Sequence, residues 1–201
     1  SNMLLYGERG TGKSSTVHAM LNRYYKDGLR LVELSKENML LLSRLKEHLR
    51  AVPLKFIVYI DDLSLSAGDE LISSLNAALE GCAEGYTDNA MIVATSNRRH
   101  IIDEKFSQRE DSVHAGDSMQ EELSLSDRFG ICVLFSTTNK EQYLSIIRQL
   151  AADKGIDMPR EELDLLAERW AIAKGGRSPR RAKQFIDLVY SFTSKGLPVE
   201  F

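Results

Sequence analysis

Short β-branched or aromatic runs alternate with longer stretches of 3.6-residue apolar periodicity along the first two thirds of the chain. This is the pattern of a parallel sheet covered by helices. The runs predict strands over residues 2–6, 29–34, 55–60, 90–95 and 130–135, and the periodic stretches predict helices over 13–25, 36–50 and 69–84. Asp27-Gly28, Ala51-Val52-Pro53 and Tyr86-Thr87-Asp88 are the breakers between them. The Leu- and Met-rich stretch 39–49 reads as a core-facing helix rather than a partner-binding one. From about Thr138 the pattern changes: no strand-like run follows, and helices are predicted over 140–153, 160–174 and 179–195. Leu163, Leu166 and Trp170 form one apolar stripe there, and Ala182, Phe185, Ile186 and Val189 form another. The expected organisation is an α/β domain over 1–136 and a small helical domain over 137–201. Between Arg98 and Ser126 lies a polar, charge-rich stretch that reads as an excursion or long surface loop before the last strand.

Composition narrows the picture modestly. The 201 residues allow one substantial domain or a domain plus a satellite. Lys and Arg total 26 against 29 Asp and Glu, a net charge of −3, whereas a chain that grips nucleic acid by net charge is more basic. A local basic face stays compatible with that balance. The strongly apolar runs 56–60 and 131–135 are five residues each, far below the ~20 that cross a bilayer. The first residues lead straight into a strand with no export signal, so a cytoplasmic protein is expected. Cys82 and Cys132, with four dispersed histidines, form no zinc spacing, and both read as core thiols in a reducing compartment.

Gly7-Glu8-Arg9-Gly10-Thr11-Gly12-Lys13-Ser14 fills every fixed position of G-x-x-x-x-G-K-[ST], with a strand before it and an amphipathic helix after it. Glycines let the backbone curl so that successive N–H groups face phosphate oxygens. Lys13 can then reach the β- and γ-phosphates, and Ser14 offers a hydroxyl to Mg²⁺. The run 55–60 delivers Asp61 and Asp62 at the C-terminal end of an apolar strand, where ligands collect in open α/β sheets. Asp61 would hold Mg²⁺ through water and Asp62 would polarise the attacking water. The chain's Asn-Lys dipeptide continues as Asn139-Lys140-Glu141-Gln142, without the Asp of a guanine-reading motif.

Through nearly its whole length the chain resembles the AAA+ ATPases. Ala94-Thr95-Ser96-Asn97 ends the fourth strand where that family places a polar sensor of the γ-phosphate, a role the resemblance gives to Asn97. Ser124-Leu125-Ser126-Asp127-Arg128-Phe129-Gly130 looks like the segment carrying an arginine finger, so Arg128 would serve the nucleotide of an adjacent subunit in a homo-oligomer. Gly-Gly-Arg-Ser-Pro-Arg-Arg-Ala is similar to the lid motif whose arginine senses nucleotide in cis. Arg180 takes that role, with Arg177 and Arg181 close enough to compete for it. Thr-Ser-Asn-Arg-Arg-His together with Ser-Leu-Ser-Asp-Arg-Phe-Gly looks like an uncharacterised bacterial family of predicted AAA+ ATPases. The resemblance implies a P-loop three-layer αβα sandwich whose five-stranded parallel sheet has the order 5-1-4-3-2, plus a C-terminal helical lid. ATP or ADP would be held by Gly7, Glu8, Arg9, Gly10, Thr11, Gly12, Lys13, Ser14, Ser15 and Arg180, with Asp62, Asn97 and Arg128 catalytic and Ser14 and Asp61 on Mg²⁺.

Two features depart from the family pattern. Asp62 stands where Glu is commoner, about 1.5 Å shorter in reach, so slow hydrolysis is expected. Only six residues precede Gly7, and Ser1-Asn2 looks like a tag remnant, so the upstream segment that contacts adenine in AAA+ proteins is expected to be missing. Two functions follow: a Mg²⁺-dependent ATPase remodelling an unknown macromolecular partner, or a helicase-loader-like switch with slow hydrolysis. The Asp61-Asp62 pair and the basic stretch 174–183 motivate the second. A small-molecule P-loop kinase leaves Asn97, Arg128 and Arg180 unexplained. No membrane role is expected, and the net charge gives nucleic acid no support.

Overall fold

The computed structural model describes residues 1–66, 70–80, 89–97, 102–103 and 128–199. Outside the described residues lie Cys82, the turn at 86–88, both ends of the helix predicted over 69–84, most of the excursion at 98–126 and the part of the Arg128 segment before Arg128. The chain divides into two compact units, residues 1–7 with 13–135 and residues 8–12 with 136–201.

The first unit contains strands β1 (Met3–Gly7), β2 (Leu29–Glu33), β3 (Lys55–Ile60), β4 (Leu65–Ser66), β5 (Ala90–Ser96), β6 (Ile102–Asp103) and β7 (Ile131–Phe135). Its helices are α1 (Lys13–Tyr24), α2 (Leu42–Arg50) and α3 (Glu70–Glu80). Five strands form one sheet in the order β2-β3-β5-β1-β7, every neighbouring pair parallel. Counting those five alone, the order is 2-3-4-1-5, the expected 5-1-4-3-2 read from the other edge. β5 stands between β1 and β3, the inserted strand that an AAA+ sheet requires.

Strand periodicity of two sorts the core into the two faces of the sheet. From β3, Phe56, Val58 and Ile60 join Leu4, Met39, Leu42, Leu75, Ile92 and Ala94 on one face. Ile57 and Tyr59 join Leu5, Val17 and Val93 on the other. Both faces of β3 are thus covered, which is why 56–60 reads as an unbroken apolar run.

Three details differ from the sequence expectation. The helix predicted over 36–50 is two elements, a 3₁₀ segment Lys36–Leu41 followed by α2. Asn38 N–H donates to Ser35 O at 3.1 Å, and Asn38 Nδ2 donates to Ser35 Oγ at 3.1 Å, so local i→i+3 bonds tighten the first turns. Met39 and Leu42 still reach the core three residues apart, while Leu40 and Leu41 are exposed. A short parallel pair, β4 with β6, was not expected, and β6 lies inside the stretch read as a loop. Cys132 is exposed rather than in the core. It sits on β7, the end strand of the sheet, which has one neighbour, and Ile131, Val133 and Leu134 are exposed with it.

Polar side chains fasten the connections. Asn89 Nδ2 lies within 2.8–2.9 Å of the carbonyls of Leu49, Val52 and Leu54, holding the turn that feeds β3. Lys46, buried on α2, donates to Ala78 O at 3.0 Å near the C-terminus of α3, where carbonyls lack helical partners. Asn2 Oδ1 accepts from Ile92 N–H at 3.0 Å and its Nδ2 donates to Leu79 O at 3.2 Å.

The second unit is a three-helix arrangement of α4 (Lys140–Asp153), α5 (Arg160–Ala173) and α6 (Pro179–Thr193). Asn139 and Gln142 form a reciprocal capping box on α4, and Ser178 caps α6 ahead of Pro179. Ala182, Phe185, Ile186 and Val189 are buried as the stripe predicts. On α5 the fully buried line runs through Leu163, Ala167 and Ala171, leaving Leu166 and Trp170 at its margin. The small alanines let the helices approach, and the larger side chains lean over the seam. Among the described residues no helix is long and apolar enough to cross a membrane.

Candidate functional site

The C-terminal ends of β3 and β5 and the first turn of α1 bring five of the predicted site residues into one hydrogen-bonded cluster. Lys13 opens α1 and is 7% exposed. Its Nζ donates to Gly7 O at 2.7 Å and lies 3.4 Å from Asn97 Oδ1. Asn97 Nδ2 donates in turn to Asp62 Oδ1. Ser14 Oγ donates to Asp61 Oδ1 at 3.1 Å. An ammonium, an amide, a hydroxyl and two carboxylates, 84 residues apart at their extremes, therefore share one contiguous network.

Two residues that the sequence reading missed complete it. Tyr59 OH and Thr95 Oγ1 each donate to Asp61 Oδ1 at 2.6 Å. Thr95 Oγ1 also accepts from the N–H of Asp62 at 2.9 Å, so one hydroxyl ties both acidic residues to β5. The sequence offered only the spacing as a signal: Tyr59 lies two residues before Asp61, the interval that returns a strand to the same face. Burial pushes the Asp61 carboxyl up, but the bonds from Thr95, Tyr59 and Ser14 and the backbone of Asp62 outweigh it and hold the group below the ordinary carboxylate value. Burial and the bond to Asp61 push the Tyr59 phenol up to about 12, so it remains a proton donor at neutral pH.

The backbone at Asp62 is left-handed, with φ of 51°, the one non-glycine residue in that region among those described. Asp and Asn tolerate this conformation better than longer side chains do. The departure from Glu at this position thus has a local cause.

Glycine is required at two points of the 7–14 run for different reasons. Gly7 has φ +136°, and a Cβ there would lie 2.1 Å from the carbonyl oxygen of Phe135, so close strand approach fixes that residue. Gly12 has φ +106°, with open space within 4 Å of where a Cβ would stand, so the left-handed backbone rather than crowding calls for glycine there. Ser15, next on α1, is exposed. Arg128 is half-buried just before β7.

Within the second unit, Thr11 Oγ1 donates to Glu8 O at 2.8 Å, folding the 8–12 stretch on itself. The N–H of Arg180, in the first turn of α6, donates to Gly10 O at 3.2 Å. The three arginines left open by the sequence differ sharply here. Arg177 makes a two-pronged ion pair with Glu168, at 3.0 and 2.8 Å, joined by Lys140 at 3.5 Å. Arg181 donates to Gly175 O at 3.2 Å. Arg180 is exposed, and among the described residues its guanidinium makes no hydrogen bond or ion pair.

The Glu168–Arg177 pair gives the helical unit a pH dependence. The Arg177 guanidinium holds the Glu168 carboxyl below its ordinary value. Its stabilisation is therefore present above the unfolded-state carboxylate range and is lost as pH falls through the lower, folded-state value. At neutral pH the contribution is modest, since Arg177 is one-third exposed and water screens the pair. Glu168→Gln is expected to flatten the acid limb of a thermal-unfolding profile below the ordinary carboxylate range, and an unchanged acid limb would show that the pair contributes nothing.

Known structures match the fold over its full extent. Thermotoga maritima RuvB, described as a Holliday junction branch migration motor, superposes with a TM-score of 0.67 at 14% identity, covering 99% of this chain and 58% of that one. A point variant of the same protein matches with a TM-score of 0.64 at 13% identity, covering 100% and 58%. The chain spans less than two thirds of the length of these structures, and at this identity the likeness is one of fold, the AAA+ fold. No curated protein matches the sequence significantly. A family model described as Protein of unknown function (DUF815) matches residues 1–192, nearly the whole chain. The chain therefore belongs to that family and carries the AAA+ fold.

Proposed function

We propose that this protein binds ATP with Mg²⁺ and hydrolyses it slowly, as a homo-oligomer that couples the nucleotide cycle to remodelling of a macromolecular partner. The observation that carries the reading is the network joining Lys13, Asn97 and Asp62, with Ser14 on Asp61, at the C-terminal edge of a parallel sheet, where such sheets take their ligands.

The residues fit the implied groups. A hydroxyl and a carboxylate already in contact form an all-oxygen donor set, suited to a hard cation that keeps most of its water. Ser14 and Asp61 would hold Mg²⁺, Asp61 through water, and the metal would neutralise charge on the phosphates. The open backbone at Gly12 leads to Lys13, whose ammonium would exchange its bonds to Gly7 O and Asn97 for phosphate oxygens. Asp62 would accept a proton from the attacking water, and Asn97, already bonded to Asp62, would orient that water. The remaining loop residues Glu8, Arg9, Gly10, Thr11 and Ser15 would complete the phosphate cradle. The exposed guanidinium of Arg180 supports it over Arg177 and Arg181 as the sensing arginine of the helical unit over 137–201.

Arg128 is proposed to act on the nucleotide of a neighbouring subunit. Specific ATPase activity should then rise with protein concentration, and mixing Arg128→Ala with Lys13→Ala should restore part of the activity that each variant lacks. A concentration-independent rate with no restoration on mixing would overturn the trans arrangement. Asp62 favours the switch-like reading as far as rate is concerned, since its short reach suits slow turnover. The basic stretch 174–183 gives the nucleic-acid version less support, because Arg177 and Arg181 are engaged within the unit.

A further inference from the structure

Resting on that nucleotide reading, we infer that Tyr59 is a positioning residue for the Mg²⁺-binding carboxylate, working with Thr95 as a two-hydroxyl clamp on one oxygen of Asp61. Three donors converge on Oδ1: Tyr59 and Thr95 at 2.6 Å and Ser14 at 3.1 Å. The backbone of Asp62 adds a further bond to the same carboxylate. The side-chain hydroxyls therefore hold the carboxylate through one oxygen.

The two clamp hydroxyls have fixed directions. Tyr59 is 1% exposed in the interior of β3, with its ring edge-on to His18, so its hydroxyl has a single rigid approach to Asp61. Thr95 is also 1% exposed, and its oxygen accepts the Asp62 N–H, which orients its own hydrogen toward Asp61. Ser14 differs from both. Its oxygen keeps lone pairs for a cation while its hydrogen stays on Asp61, so it is the hydroxyl of the three that would meet the metal. While Ser14 meets the metal, Tyr59 and Thr95 keep the carboxylate in place. The clamp thus removes a reorientation that metal binding would otherwise require, the usual way outer partners of a ligand raise metal affinity. An apolar Phe would fill the same core space without this function.

The test measures metal coupling apart from folding and apart from turnover. ADP binding is titrated in EDTA and again across a Mg²⁺ series for the wild type, Tyr59→Phe, Thr95→Ser and Thr95→Val, with thermal unfolding alongside. Tyr59→Phe should bind ADP in EDTA within about twofold of wild type while needing about tenfold more Mg²⁺ to reach half of the full Mg²⁺ effect. Thr95→Ser, which keeps the hydroxyl, should retain wild-type coupling, and Thr95→Val should lose it. An unchanged Mg²⁺ requirement in both Tyr59→Phe and Thr95→Val would overturn the inference. So would a parallel loss of affinity with and without metal, because that is the signature of a packing role. Should Tyr59→Phe unfold, the Thr95 pair decides the matter alone. A wild type that binds no ADP under either condition overturns the nucleotide reading itself, and the clamp's purpose with it.

Discussion

Lys13→Ala lowers ATP affinity by about 100-fold or more, measured by calorimetry, and leaves the far-ultraviolet circular dichroism spectrum unchanged. The size follows from what the ammonium would do. It is buried, it already sits on two oxygens, and it would meet the most highly charged part of the ligand in a desolvated place, where truncating one member of a charge pair costs about 2–5 kcal/mol. Wild-type affinity in the variant would remove the 7–14 run from the phosphate site.

Asp62→Asn lowers turnover by about 100- to 1,000-fold, the range of a lost general base, with ATP affinity within about threefold of wild type. Asn is the right replacement because it accepts the left-handed backbone at this position as readily as Asp and can still meet Asn97. Asp62→Glu, which restores the commoner family residue, should not raise the rate. The longer side chain is less at ease at φ of 51°, and its carboxylate would overshoot the Asn97 amide. A variant that keeps turnover would show that Asp62 is not the group that activates water. With bound ATP preserved, Asp62→Asn also provides the trapped state for affinity capture of the unidentified partner.

Much of this arrangement was legible before any coordinates. The five main strands follow from their short β-branched runs, and Lys55–Ile60 has the bounds predicted for it. Lys13, Ser14, Asp61, Asp62 and Asn97 carry recognisable motifs, so their meeting at one edge of the sheet could be expected from the implied strand order alone.

What stayed hidden has physical reasons. Tyr59 looks like one more apolar residue in a buried strand, and nothing in a linear pattern says that its hydroxyl meets a carboxylate two residues on. Thr95 is ordinary strand chemistry until β5 is placed beside β3. The helix at 36–50 fails as a single element because Ser35 and Asn38 offer local hydrogen bonds that compete with α-helical ones. β4 and β6 are too short for periodicity to register, and Cys132 reads as buried only until β7 turns out to end the sheet. The choice among Arg177, Arg180 and Arg181 needs the third dimension, because Glu168 and Gly175 engage the other two through contacts that spacing does not encode.

The most direct measurement is calorimetric titration of the wild-type protein with ATP in the presence of Mg²⁺, followed by competition with ADP. Saturable binding of one ATP per chain, displaced by ADP and lost in Lys13→Ala, is the predicted result. No saturable binding at millimolar ATP, or equal binding by Lys13→Ala, would contradict the account.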